Sequence, residues 1–261
     1  FPTRRSSDLD ANNINPLYGF FVARAGLGAS ESMRSKLAEY NDPRLSRAFI
    51  TKQGTSGKEQ APGTADNAVY APNGTPEQGT SKYGTSLFMY SISAPTLLLS
   101  YHELKFLEAE ALCRLERDAK SALKDAVVAG LLNAENSFTI SRKELGKTLI
   151  NAASSITEAE AESYFDNTIE AKYTAEPLKT TMTQKYFALW GASGEATESY
   201  NDVRRMKGLG ENFIELKNPN SFPLRCPYGN SDTTTNAEVK AAYGNGQYVY
   251  SENVWWAGGS R

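Results

Sequence analysis

Between Pro95 and Glu116 the chain carries apolar residues on two sides of one helical period. Leu97, Tyr101, Leu104, Ala111 and Leu115 follow a spacing of roughly 3.6 residues. Leu99, Phe106, Ala109 and Cys113 make a second stripe beside it. A helix apolar on two faces packs between neighbours, as in a stacked helical array. Ala109 and Ala111 permit close approach, and Glu103, Glu108 and Glu110 occupy what remains. The pattern predicts a helix over 96–116, opened by Pro95 and Thr96, at the centre of a helical layer.

Further elements agree with that layer. A second helix is expected over 119–133, with Ala122, Ala126, Ala129 and Leu132 near helical spacing. The two read as a helix-turn-helix pair of the tetratricopeptide kind, although no repeat of about 34 residues is legible. Ser30 is placed to cap a helix over 31–40 that turns Met33, Leu37 and Tyr40 to one face, and Pro43 stops it. Thr157 can cap a third helix, with Glu160 completing a capping box and Ala161, Tyr164, Phe165 and Ile169 facing inward. A fourth, over 175–191, carries Leu178, Met182, Tyr186 and Leu189. Residues 11–30 read as irregular chain with a turn at Pro16. Residues 51–84, dense in Gly, Thr, Pro, Ser and Asn, read as one long loop, either ordered on the surface or partly mobile. After Gly208 the sequence suits short helices or coil wrapping the helical layer. The fold class expected is all-α: helix pairs with long irregular loops.

Composition narrows the functions. A length of 261 residues suits one large domain or two small ones. A formal net charge of −2 argues against nucleic acid as partner, and the pairs Arg4-Arg5 and Arg204-Arg205 are too short for a basic patch. No run of about 18 apolar residues is present that could span a bilayer as a helix. Phe1 to Leu9 shows no helix or strand period and resembles a translated sequencing adapter, so it is set aside, and the N-terminal part of the protein is expected to be missing. Cys113 and Cys226 lie far apart. A disulfide is unsupported, and a buried free thiol at Cys113 is the simpler reading.

Catalytic chemistry finds little to work with. His102 is the single histidine, on the flank of the strongest helix, where a structural hydrogen bond is the usual role. One histidine and two distant cysteines do not make a zinc site, and no phosphate-cradling glycine loop is present, so neither metal nor cofactor is expected. Glu103 with Glu110, or Glu198 with Asp202, could supply the carboxylate pair of a glycoside hydrolase. Helix carboxylates are more commonly solvated or paired with Lys and Arg.

What the chain does carry is aromatic rings: 14 tyrosines and 3 tryptophans. Tyr18, Tyr70, Tyr83, Tyr90, Tyr228, Tyr243, Tyr248 and Tyr250 fall in loop-like sequence. Rings offer flat apolar faces and phenols offer hydrogen bonds, which suits sugars or protein surfaces. The plainer reading is that most of these rings pack loops onto helices. Tyr70, Tyr83 and Tyr90 flank the long loop before the strongest helix and are the first candidates for ligand contact. Asp202 with Arg204 or Arg205 reads as a structural ion pair fixing loops to the helical layer.

A set of short motifs carries a family resemblance. NPLYGFF at 15–21, NDPRL at 41–45, PTLLLSYHELKFLEAEAL at 95–112, TQKYFALW at 183–190, YNDVRR at 200–205 and PLRCPY at 223–228 stand in the order shown by the SusD/RagB-like family, which the chain resembles. VWW at 254–256 looks like that family's C-terminal end. The resemblance implies residues 10–261 as the C-terminal portion of a single SusD-like domain of tetratricopeptide-like helix pairs. It implies a lipid-anchored protein exposed at the outer-membrane surface, binding oligosaccharide or peptide for a SusC-like TonB-dependent transporter, with no bond chemistry. The all-α hydrolase is the alternative, and a purely structural scaffold a third. Where the family has a Trp and a terminal Thr-Gly around its paired arginines, this chain has Tyr200 and Met206.

Overall fold

The computed structural model describes residues 13–23, 28–50, 59–60, 70–73, 83–145, 149–150, 154–215 and 221–259. The first nine residues and most of 51–84 lie outside that set. The chain divides into two compact units, Phe1–Glu215 and Leu216–Arg261.

The first unit is helical. It opens with α1 (Pro16–Ala23), where irregular chain was expected. Asn15 is the reason: its Oδ1 accepts the Leu17 amide at 2.9 Å while its Nδ2 donates to the Ala94 carbonyl, and Pro16 sits where a helix needs no amide hydrogen. In α2 (Glu31–Glu39) the Ser30 hydroxyl accepts the Met33 amide, and Met33, Leu37 and Tyr40 are buried as expected. Two-residue strands β1 (Phe49–Ile50) and β3 (Thr85–Ser86) pair antiparallel, and β2 (Glu59–Gln60) pairs parallel with β4 (Leu149–Ile150). A 3-10 turn, Leu87–Tyr90, follows β3.

The central helix α3 spans Tyr101–Arg114, five residues shorter at its start than its apolar pattern suggested. Ser100 supplies the cap: its Oγ accepts the Glu103 amide at 3.1 Å. The buried face also differs. Tyr101, Leu104 and Leu115 are 60%, 52% and 63% exposed, whereas Phe106 and Ala109 are sealed together with His102, Glu103 and Glu110. Hydropathy counts charged groups as outward-facing. Here they turn inward because partners wait for them, so of the two stripes only the Phe106 one packs.

Helix α4 (Lys120–Leu145) continues well past Asn133, because Ala134, Phe138 and Ser141 extend the inward stripe set by Leu123, Val127 and Leu131. It packs on α3, on the 3-10 turn and on α7 (Pro177–Leu189). Gly130 marks the closest approach: a Cβ there would stand 3.0 Å from that of Ala188. We expect Gly130→Val to destabilise the chain by about 1–3 kcal/mol by overpacking this crossing, a shift measurable by urea unfolding.

Thr157 caps α5 (Glu158–Tyr164) through the Glu160 amide, as expected. The reciprocal half of the capping box is not made, because the Glu160 carboxylate pairs with Arg47 at 2.9 Å. A π turn (Phe165–Ile169) joins α5 to α6 (Glu170–Ala175). Ala161, Phe165, Ile169 and Tyr173 are all buried at four-residue intervals. In a regular α-helix each such step overshoots by about 40°. The wider turn absorbs the drift and holds all four on one face. Helix α7 is buried nearly all round, as a helix inside a layer must be. The chain then turns at Gly191, whose φ of 78° and contact with the Phe88 ring both exclude a side chain. A second 3-10 turn (Ser193–Glu195) leads into α8 (Ala196–Gly208).

The second unit contains the short helices α9 (Asn230–Thr235) and α10 (Ala237–Tyr243). Asn236 caps α10 by accepting the Glu238 and Val239 amides. Tyr228 stacks on Tyr243 at 4.4 Å, the Arg225 guanidinium lies over the Tyr228 ring, and Trp255 and Trp256 are exposed.

Candidate functional site

The three tyrosines put forward for ligand contact each have packing partners within the first unit. Tyr70 meets Phe49 edge-on at 5.2 Å, with the Arg34 guanidinium over its ring. Tyr83 is only 5% exposed. Tyr90 meets Phe21 edge-on at 5.2 Å. Tyr70 and Tyr90 pack against the hydrophobic core.

The carboxylates do come together. One stripe of α3 (Glu103, Leu107, Glu110, Ala111, Arg114) faces one stripe of α8 (Glu198, Asn201, Asp202, Arg205) across a groove of about 580 Å³, with Lys185 of α7 at its floor. Both stripes arise from helical spacing, which brings residues three and four apart onto one side. Lys185 is sealed, with its side chain 2% exposed, and its ammonium lies 2.8 Å from Asp202. Asp202 also accepts from Arg205 at 2.8 Å. Arg204 takes no part in that pair; its guanidinium lies over the Tyr200 ring.

Glu110 is clamped by Arg205 and by Arg114, which also donates to the Glu211 carboxylate. Burial pushes Glu110 up, but the two guanidinium groups outweigh it and hold it below the usual carboxylate range. Glu103 is the reverse case. Burial, then the neighbouring Glu195, push it up to about 7. His102 is fully buried, and burial drives it below the ordinary imidazole value against the pull of Glu195.

This arrangement is a poor proton-transfer pair. Glu110 is committed to two arginines and Asp202 to a lysine and an arginine, whereas Glu103, pushed up to about 7, is poised to exchange a proton near neutrality. With Glu103 protonated, three acids (Glu110, Glu198, Asp202) balance three bases (Arg114, Lys185, Arg205) along the groove. A lining that is neutral overall but rich in both donors and acceptors suits a neutral, many-hydroxyl or amide-bearing ligand, with Leu107 and Ala111 as an apolar strip. Among the described residues no group of three or more His, Cys, Asp or Glu could hold a metal ion. Cys113 is half-buried with its sulfur 3.7 Å from the Thr181 hydroxyl; it and Cys226 are free thiols. The groove was not foreseen as a unit. The one available signal was the matched three-and-four spacing of charges on two separate helices.

A family model described as SusD-like, starch-binding associating with outer membrane, matches residues 7–228. A SusD/RagB family protein from Bacteroides thetaiotaomicron superposes with a TM-score of 0.85 at 64% identity, over 97% of this chain and 54% of that one. A SusD homolog from Bacteroides fragilis shares the fold at a TM-score of 0.60 and 18% identity, over 93% of this chain and 55% of that one. The chain thus spans about half the length of the solved relatives it matches. No curated protein matches it.

Proposed function

The chain belongs to the SusD-like family, and on that footing we propose that it binds an oligosaccharide or peptide nutrient without breaking a bond and delivers it to a TonB-dependent outer-membrane transporter. Residues 10–261 would form the C-terminal portion of one SusD-like domain. It is held at the outer-membrane surface by a lipid group. The family match over residues 7–228 carries the reading. The groove between α3 and α8 supports it as a receiving surface. The clamped state of Glu110 and Asp202 weighs against the glycoside hydrolase, which needs one carboxylate free to act as base or nucleophile beside a protonated one.

Titration calorimetry against a panel of neutral glycans and peptides, with a turnover assay on the same panel, tests this. The expected result is saturable binding of at least one class with no product formed. Product formation abolished by Glu103→Gln would overturn it, as would an empty panel.

A further inference from the structure

We propose that a second groove, between the loop after α2 and the outer face of α5, is a sugar subsite. It would hold one neutral pyranose unit, with hydroxyls on Asn41, Ser163, Asn167 and Thr168 and a C–H face on Pro43 and Leu45. No residue lines both this groove and the one between α3 and α8, so the two stand or fall separately.

The groove has a volume of about 500 Å³, inside the range of about 300–1,000 Å³ usual for small-molecule sites. One wall is the stripe Glu160, Ser163, Tyr164, Asn167 and Thr168, whose spacing of three and four residues sets them on one side of α5 and the π turn. The other wall is the loop from Asn41 to Arg47.

Both walls are fixed before any ligand arrives. Helix α2 ends in a Schellman cap: the Asp42 amide donates to the Leu37 carbonyl at 2.9 Å and the Asn41 amide to that of Ala38 at 3.1 Å. Asn41 takes the left-handed position of that cap, with a φ of 49°. Arg47 staples the loop to α5. Its Nε donates to the Ser154 carbonyl at 2.7 Å, its Nη1 to the Pro43 carbonyl at 2.9 Å and its Nη2 to Glu160 at 3.0 Å. Beneath them the Tyr164 hydroxyl donates to Asp42 at 3.3 Å, and Asp42 is held by Arg44. Groups already ordered lose little entropy on binding.

The floor is polar but its charges are spent. Asp42 is paired with Arg44 and Glu160 with Arg47, so an anion finds no spare cation here and a cation no spare carboxylate. The rim is the opposite. Asn41, Ser163 and Asn167 are exposed, and the Asn41 carboxamide and Thr168 hydroxyl make no side-chain hydrogen bond among the described residues. Asn167 spends its Nδ2 on Ser163, which leaves its Oδ1 free to accept and the Ser163 hydroxyl free to donate. A carboxamide sets a donor beside an acceptor, the pattern that two neighbouring sugar hydroxyls match. Pro43 and Leu45 are half-buried and supply the apolar patch. No strand lines the groove for an extended peptide to pair with.

Side-chain amide NMR resonances of the isotope-labelled chain test this, because Asn41 and Asn167 report this groove and Asn201 reports the one between α3 and α8. The probes are methyl glucopyranoside, methyl galactopyranoside and methyl mannopyranoside. At least one should shift Asn41 and Asn167 together and saturably, with a midpoint on the order of 10 mM, as suits a ligand of about a dozen heavy atoms. Asn41→Gly removes one carboxamide and keeps a left-handed backbone that glycine adopts freely. The midpoint read at Asn167 should then rise about fivefold or more. Asn167→Ala, read at Asn41, is the second variant and should do the same. Absent shifts, shifts that grow without saturating, or a midpoint unmoved in whichever variant folds overturn the proposal. So does a stronger response to alanyl-alanine amide than to any of the sugars. Saturable shifts at Asn41 and Asn167 with Asn201 silent keep this subsite and count against the α3–α8 groove, whereas shifts at Asn201 alone do the reverse.

Discussion

Arg44→Ala is expected to destabilise the first unit by about 3–5 kcal/mol. Arg44 is sealed in the core with a side chain 3% exposed. Its Nε and Nη2 grip the Asp42 carboxylate at 2.8 and 2.6 Å, and its Nη1 donates to the Phe187 carbonyl at 2.8 Å. Asp42 also accepts the Arg44 amide at 2.9 Å and the Tyr164 hydroxyl at 3.3 Å, and Gln184 donates to that hydroxyl in turn. The network thus joins the loop after α2 to α5 and α7. Burial alone would lower the guanidinium, yet Asp42 more than reverses this and raises it. Truncating Arg44 leaves an enclosed carboxylate with only a phenol and an amide, and strands the Phe187 carbonyl. Urea unfolding measures the loss. Removing both charges, as Asp42→Leu with Arg44→Met, should recover most of it, since a packed apolar pair often matches a buried ion pair. A loss under about 1 kcal/mol for Arg44→Ala would mean that water reaches Asp42 and that the pair is not a buried one.

The sequence announced these elements unevenly, and each failure has a physical cause. Caps were legible at Ser30 and Thr157 because they depend on one side-chain oxygen and the next three residues. The start of α3 was misplaced because Thr96 and Ser100 are both competent caps, and only the Glu195 carboxylate, distant in sequence, anchors Ser100. The inward face of α3 was misread because Glu103 and Glu110 are buried through partners on other helices, which no local period reveals. The Phe49–Ile50 pairing with Thr85–Ser86 and the π turn after Tyr164 are likewise long-range solutions to packing. At the candidate site, Glu103, Glu110, Glu198 and Asp202 were visible as separate helix-face pairs. Their meeting in one groove depends on how α3 and α8 lie against α7. The ring-based candidates were ambiguous for a related reason: a tyrosine beside a Gly-rich loop reads identically whether it faces solvent or, like Tyr83, the interior.

The groove floor is asymmetric. Asp202 has two cationic partners, Lys185 and Arg205, whereas Lys185 has Asp202 as its ion-pair partner. Asp202→Ala therefore leaves a sealed ammonium without its ion-pair partner and should cost about 3–5 kcal/mol. Lys185→Met removes that ammonium and lets Arg205 keep Asp202, so its cost should stay within about 1.5 kcal/mol. Made in the Lys185→Met background, Asp202→Ala should cost markedly less than it does alone, giving a coupling of about 2 kcal/mol or more in a double-mutant cycle. Additive effects would place Lys185 in water and undo the floor of the groove. The same cycle bears on binding. Lys185→Met preserves the open, solvent-facing edge formed by Glu198, Asn201 and Arg205, so a ligand held at that edge should keep its affinity even where the fold beneath has lost a charge pair.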